Sequence, residues 1–208
     1  MLYLLPGMGT TSTMYDEIWR SLSNTVFLDW PLISGPISME SIARTIIEMN
    51  GITSDDYVGG SSLGGMIAIE IARILSLDLV ILIGSAKNRD EINQLMLKLA
   101  PLADITPIRF AQVLCGKGPG KVLDMFSQSD TRFIRETCKV LPNWNGLGDL
   151  KVKIIRIHGK RDLTIKCPKE GFIISKAGHL IAMTHSAECV RYLREVLRPL
   201  HQADPGSR

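Results

Sequence analysis

The 208-residue chain has little of what marks several large classes of protein. Its four cysteines, Cys115, Cys138, Cys167 and Cys189, are widely scattered, and no C-x-x-C pair occurs. This spacing suggests neither a zinc site nor a dithiol redox motif, and it predicts reduced thiols in a cytoplasmic protein. The net charge is only +3 and no basic run occurs, so we expect no nucleic-acid partner.

Long apolar stretches are also missing. None approaches the ~18 residues that a membrane-spanning helix needs. Pro6 and Gly7 interrupt the opening apolar run, so we expect neither a signal peptide nor a membrane partner. No histidine pair with a carboxylate has the spacing of metal ligands, so no metal is expected. The length predicts a single domain over residues 1–208, large enough for a substantial core.

Short apolar runs and helical patterns alternate along most of the chain. Nearly continuous apolar strands in β-α-β-α-β order predict a parallel sheet with helices on both faces. The expected fold is therefore a three-layer α/β/α sandwich with about six mostly parallel strands. The predicted strands are residues 1–5, 25–28, 57–60, 79–83, 153–157 and 171–175, and the predicted helices are 15–22, 39–50, 63–75 and 187–200.

The alternation stops between about residues 86 and 150. Prolines there separate four short helical patterns, at about 88–100, 107–115, 121–127 and 130–141. We interpret this stretch as a small helical cap inserted into the domain. Its leucines and methionines, with Phe110, suggest that it covers a pocket for an apolar acyl or alkyl group.

One stretch, Gly60-Ser61-Ser62-Leu63-Gly64, fits the pattern G-x-S-x-G. With Ser62 at the centre both glycines fall on the pattern, whereas with Ser61 there the last position would be Leu63. A strand that turns sharply into a helix strains its apex residue, and neighbours without Cβ let strand and helix pack closely. Such a turn would expose Ser62 Oγ at a helix N-terminus, where negative charge is favoured. The alternative is a glycine-rich turn with incidental serines.

Reactive groups follow four of the predicted strands. Parallel sheets carry their chemistry outside the carboxyl ends of the strands. The loops there hold Gly7, Ser62, Asp162 and His179, and the last three supply a nucleophile, an acid and a base in the order Ser, Asp, His. In this order the sequence resembles the α/β-hydrolase family. The resemblance runs from about residue 1 to residue 200 and is carried by Gly60-x-Ser62-x-Gly64, His158-Gly159-x-x-Asp162 and Gly178-His179.

The resemblance implies a role for each matching residue. Ser62 would be the nucleophile, His179 the general base, and Asp162 the acid that orients His179. Asp90, Asp104 and Asp149 are rival acids that do not directly follow a strand. His158 is expected to be structural, His185 and His201 to be surface or packing residues, and Asp29 to stabilise a turn.

The loop Pro6-Gly7-Met8-Gly9 matches the family's loop after the first parallel strand, with proline in place of the usual histidine. The donors of an oxyanion hole are backbone N–H groups, so this replacement need not impair catalysis. We assign these donors to Met8 and Leu63, the latter because it follows the nucleophile.

Two features depart from the family. We expect no counterpart of its antiparallel N-terminal strands, since residues 1–5 already match the strand before the oxyanion loop. The connection between Asp162 and Gly171 is also too short for the usual crossover helix. Either that helix has been lost or one of the strands is misplaced.

The resemblance implies a serine hydrolase, similar to carboxylesterases, that needs no cofactor. It would cleave a small ester or thioester through an acyl-serine intermediate. Three alternatives stay open: an amide hydrolase, a cofactor-free lyase or C–C hydrolase with the same triad, and a non-catalytic binding module. The sequence fixes neither the substrate nor the oligomeric state.

Overall fold

The computed structural model describes residues 1–94 and 130–202, without the side chains of 199–202. It contains a six-stranded sheet with the order β2-β1-β3-β4-β5-β6. Each neighbouring pair of strands is parallel, so the predicted sheet is confirmed. The strands are β1 (Leu2–Leu5), β2 (Thr25–Phe27), β3 (Tyr57–Ser61), β4 (Leu79–Ile83), β5 (Lys153–Gly159) and β6 (Phe172–Ile174).

Helices cover both faces of this sheet. On one face, Ile42 and Ile67 belong to a buried cluster with Val80 and Leu82, and on the other, Trp19 and Leu193 pack with Ile81 and Ile83. Alternate residues of β4 thus face opposite clusters, which gives the predicted three layers. The helices are α1 (Glu17–Arg20), α2 (Met39–Asn50), α3 (Leu63–Leu75), α4 (Thr131–Val140), α5 (Ile181–Thr184) and α6 (Ser186–Gln202).

Local capping explains where two of these helices begin. Ser38 and Ser41 form a capping box at the start of α2, with 2.9 Å between Ser38 Oγ and Ser41 N. The predicted helix over residues 15–22 is wrong at both ends, since α1 covers only Glu17–Arg20. Asp16 starts it late because its carboxylate accepts the N–H groups of Ile18 and Trp19.

The link between β5 and β6 shows whether the crossover helix is lost or a strand is misplaced. β6 pairs in parallel with the end of β5, so no strand is misplaced and the crossover helix is missing. In its place, Ile165 forms an antiparallel bridge with Ile92. Asn93 N donates to Thr164 O at 2.9 Å and Lys166 N to Glu91 O at 2.7 Å. These bonds satisfy backbone groups that a helix would otherwise have paired.

Part of the predicted cap lies within the described residues. The helix expected at about 130–141 is confirmed as α4. The helix expected from residue 88 does not begin there, because a 3₁₀ turn over Arg89–Glu91 leads into extended backbone at Ile92, which the bridge to Ile165 fixes. The helices expected at 107–115 and 121–127 lie outside the described residues. Within residues 1–94 and 130–202, no helix is long and apolar enough to cross a membrane.

Candidate active site

Ser62 lies at a strained turn between β3 and α3. Its backbone has φ +50° and ψ −115°, in a region that non-glycine residues rarely adopt. Ser62 N donates to the carbonyl oxygen of Ile83 on the neighbouring strand at 3.0 Å. The surrounding structure thus holds the strained conformation in place, as the pattern around Ser62 predicted.

The two glycines of this turn are required by sterics. A Cβ atom on Gly64 would lie 2.5 Å from the carbonyl oxygens of Leu5 and Pro6. A Cβ atom on Gly60 would lie 2.5 Å from the carbonyl carbon of Gly64. The turn and β1 therefore approach more closely than any residue with a side chain would allow.

His179 links the serine to the aspartate. Its Nε2 atom is 2.9 Å from Ser62 Oγ, and its Nδ1 atom is 2.8 Å from Asp162 Oδ2. An ionised carboxylate can only accept, so Nδ1 carries the hydrogen and Nε2 is free to accept the hydroxyl proton of Ser62. Three residues that lie far apart in the sequence therefore form one hydrogen-bonded chain.

Asp162 is buried, and both of its oxygens have partners. Oδ1 accepts the N–H groups of Thr164 at 2.8 Å and Ile165 at 2.9 Å. Besides His179, buried His158 approaches Oδ2, with Nε2 at 3.3 Å. Burial alone would raise the pKa of Asp162, but the hydrogen bonds from His158 and His179 outweigh it and hold the pKa below its ordinary value. The carboxylate therefore stays ionised at neutral pH.

A pH dependence of stability follows from this lowered pKa. A carboxylate with a depressed pKa stabilises the fold above its unfolded pKa of about 4, and that contribution disappears as the pH falls through the folded pKa. We therefore compare the free energy of unfolding of the native chain with that of Asp162→Asn. The advantage of the native chain should be smaller at about pH 3 than at about pH 5. Urea denaturation of both proteins at each pH measures this difference. An equal difference at both pH values would contradict the assignment.

The loop after β1 lies against Ser62. A Cβ atom on Gly7 would be 3.8 Å from Ser62 Cβ. Thr10 Oγ1 donates to Gly7 O at 2.8 Å, and Trp30 Nε1 donates to the same oxygen at 3.0 Å. Gly7 N donates to Met14 Sδ at 3.2 Å. These contacts fix the backbone just before Met8.

Met8 and Leu63 are the predicted oxyanion donors. Leu63 opens α3, where N–H groups have no partner within the helix. Neither N–H group donates a hydrogen bond to another described residue. Neither is therefore taken by a described partner, as the predicted role requires.

The rival residues lie elsewhere or outside the described chain. Asp90 and Asp149 are exposed, and the structure does not bring them to His179, whereas Asp104 lies outside the described residues. His185 Nδ1 contacts Thr184 Oγ1 at 2.9 Å, and the side chain of His201 is not described. Asp29 accepts the N–H of Ser12 at 2.6 Å, in line with its predicted role in a turn.

Two contacts at the site are not indicated by any pattern in the sequence. The sequence predicts a structural role for His158, and in the structure its ring contacts the carboxylate of Asp162. Ser85 is fully buried, and its Oγ donates to the carbonyl oxygen of Ser62 at 2.6 Å. Its only sequence signal is its position just after β4, at the edge of the sheet where the site forms.

The chain has distant structural relatives. No protein-family model and no curated protein matches its sequence. A thermophilic esterase from Thermogutta terrifontis superposes with a TM-score of 0.76 at 17% identity, over 97% of this chain and 90% of the esterase. A hydrolase from Oleispira antarctica superposes with a TM-score of 0.78 at 15% identity, over 95% of this chain and 90% of the hydrolase.

A third relative is YbtT, a type II thioesterase from the yersiniabactin biosynthetic pathway. It superposes with a TM-score of 0.65 at 13% identity, over 95% of this chain and 91% of YbtT. These likenesses, together with the parallel sheet, show that the chain has the α/β-hydrolase fold.

Proposed function

We propose that the protein is a serine hydrolase that cleaves a carboxylic ester or thioester through an acyl-serine intermediate. The observation that carries this proposal is the hydrogen-bonded chain from Asp162 through His179 to Ser62. The strained backbone of Ser62 at the start of α3 supports it independently. A binding module of the same fold has no need for all three groups in this arrangement.

The first half of the reaction is acylation. Ser62 Oγ attacks the carbonyl carbon of the substrate while His179 Nε2 takes the hydroxyl proton. The negative charge that develops on the carbonyl oxygen is stabilised by the N–H groups of Met8 and Leu63. When the tetrahedral intermediate collapses, the bond to the leaving group breaks and His179 returns the proton to the departing alcohol or thiol.

Deacylation repeats these steps with water. His179 takes a proton from a water molecule as its oxygen attacks the acyl carbon, and the same N–H groups stabilise the second oxyanion. The carboxylic acid then leaves as Ser62 regains its proton from His179. Asp162 keeps its negative charge throughout and stabilises the imidazolium form of His179.

The substrate class rests on two lines of support. Structural relatives include proteins named as esterases and as a thioesterase, so both ester and thioester bonds belong in the proposal. The half-buried Met8 and Trp30 pack onto the same apolar cluster as Phe133 of α4. A small and largely apolar acyl group suits these surroundings.

A fluorophosphonate probe tests the proposal directly. We expect intact-mass analysis to show one adduct per chain, at Ser62, because within residues 1–94 and 130–202 it is the serine whose hydroxyl lies within hydrogen-bond distance of a histidine ring. Labelling should slow strongly in His179→Ala. It should persist in the control variant Ser61→Ala, in which the serine next to Ser62 is replaced. Labelling that His179→Ala leaves undiminished would contradict the role of His179.

A parallel screen of acyl esters and thioesters of increasing chain length would then define the substrate.

A further inference from the structure

A buried hydroxyl lies behind the turn that presents Ser62. Ser85 has no solvent exposure, and its Oγ donates to the carbonyl oxygen of Ser62 at 2.6 Å. Gly65 makes room for this contact, because a Cβ atom there would lie 2.5 Å from Ser85 Oγ. Ser85 supplies the hydroxyl and Gly65 the space, so that the hydroxyl can bind the Ser62 carbonyl oxygen.

That carbonyl belongs to the same peptide unit as the N–H of Leu63. The peptide is planar and trans, so its C=O and N–H bonds point in opposite directions. A donor on the carbonyl oxygen therefore fixes the direction of the N–H on the other side. It also polarises the unit, because hydrogen bonds along one chain strengthen one another.

Ser85 is itself held by charged groups. Its carbonyl oxygen accepts a hydrogen bond from an Arg156 Nη atom at 3.1 Å. The two Nη atoms of Arg156 also bind the Glu91 carboxylate, at 2.9 and 2.7 Å. Both side chains are largely buried, and such charge-assisted pairs have a fixed geometry. The hydroxyl of Ser85 is thus attached to a well-anchored backbone.

We propose that Ser85 is a positioning residue for the hydrolysis, which holds the Ser62–Leu63 peptide so that the Leu63 N–H faces the developing oxyanion. This inference rests on the proposed function. It assigns Ser85 no contact with the substrate, since its effect passes through the peptide unit. The contribution should therefore appear in the transition state, when the oxygen becomes charged, and hardly at all in substrate binding.

The fold does not depend on this hydroxyl alone. The carbonyl oxygen of Ser62 also accepts the N–H groups of Gly65 at 3.1 Å and Met66 at 3.4 Å. A variant without the hydroxyl thus leaves no orphaned acceptor at the turn. We expect Ser85→Ala to fold and to keep the bond between His179 and Ser62.

The test compares Ser85→Ala with the native chain on a p-nitrophenyl acyl ester. We expect kcat to fall about tenfold, because that factor corresponds to the free energy of about one hydrogen bond, and we expect KM to stay unchanged. The pH at which the rate is half-maximal should not move, because the contacts of His179 and Asp162 are intact. A trifluoromethyl ketone with the same acyl chain forms a charged tetrahedral adduct, so its affinity should weaken by the same factor as kcat.

Two further variants complete the design. Ser186→Ala removes another buried hydroxyl, one that donates to Asp16, a residue not assigned to the reaction, and it should leave kcat unchanged. Ser85→Cys keeps the shape of the side chain with a weaker donor and should give an intermediate kcat, which decides the question if the alanine variant does not fold.

The outcomes separate the two proposals. Native kcat and native ketone affinity in Ser85→Ala, with hydrolysis still dependent on Ser62, would overturn the role of Ser85 and leave the proposed function standing. A loss carried by KM alone would also overturn it. Hydrolysis that does not depend on Ser62 would overturn both.

Discussion

Replacement of Ser62 by alanine should lower kcat for ester hydrolysis by about 10⁶-fold, the loss seen when a serine nucleophile is removed from such a triad. Ser62 Oγ lies 2.9 Å from His179 Nε2, and alanine has no atom that can attack the carbonyl carbon. The residual rate should come from the oxyanion donors and substrate binding alone. Hydrolysis of a p-nitrophenyl acyl ester, corrected for the rate in buffer, measures this loss.

The fold should tolerate this change. Alanine keeps the Cβ atom of serine, so the positive φ of residue 62 strains the variant about as much as the native chain. Ser62 Oγ has no backbone partner whose loss would leave a buried group unpaired. The matched control is Ser61→Ala, which should retain activity because buried Ser61 is not assigned to the reaction. Full activity in Ser62→Ala would refute the acyl-serine mechanism.

Local sterics explain why the serine turn was predictable from the sequence. The close approach of β1 to the turn excludes a Cβ atom at Gly60 and Gly64. The spacing of these two glycines around Ser62 therefore predicts the tight turn between strand and helix. The parallel sheet was predictable for a similar reason, because strands buried on both faces must be apolar along their whole length. Together these rules also predicted that Asp162 and His179 would lie at the same edge of the sheet.

Other features follow from contacts that no short pattern records. α1 begins later than the apolar pattern predicts because the Asp16 carboxylate caps it. The extended backbone at Ile92 depends on its bridge to Ile165, 73 positions further along the chain. Ser85 reaches Ser62 only because β3 and β4 are neighbours in the sheet, and a single serine after a strand gives no sign of such a contact.

Replacement of Asp162 by asparagine should lower kcat by about 10⁴-fold, with the fold largely retained. The amide oxygen can still accept the N–H groups of Thr164 and Ile165, which now bind Oδ1. The amide nitrogen then takes the place of Oδ2 and donates to His179 Nδ1. His179 must accept that bond at Nδ1 and carry its hydrogen on Nε2, so it can no longer take the proton of Ser62.

The comparison that isolates this tautomer effect uses the rival acid Asp149, which is exposed. Asp149→Asn removes the same charge but leaves His179 in its native tautomer, so kcat should stay within about twofold of the native value. Labelling by the fluorophosphonate should also slow in Asp162→Asn and not in Asp149→Asn, since the probe requires the same proton transfer from Ser62. Equal rates for the two variants would show that Asp162 does not orient His179. The carboxylate's burial and its four polar neighbours would then serve the fold alone.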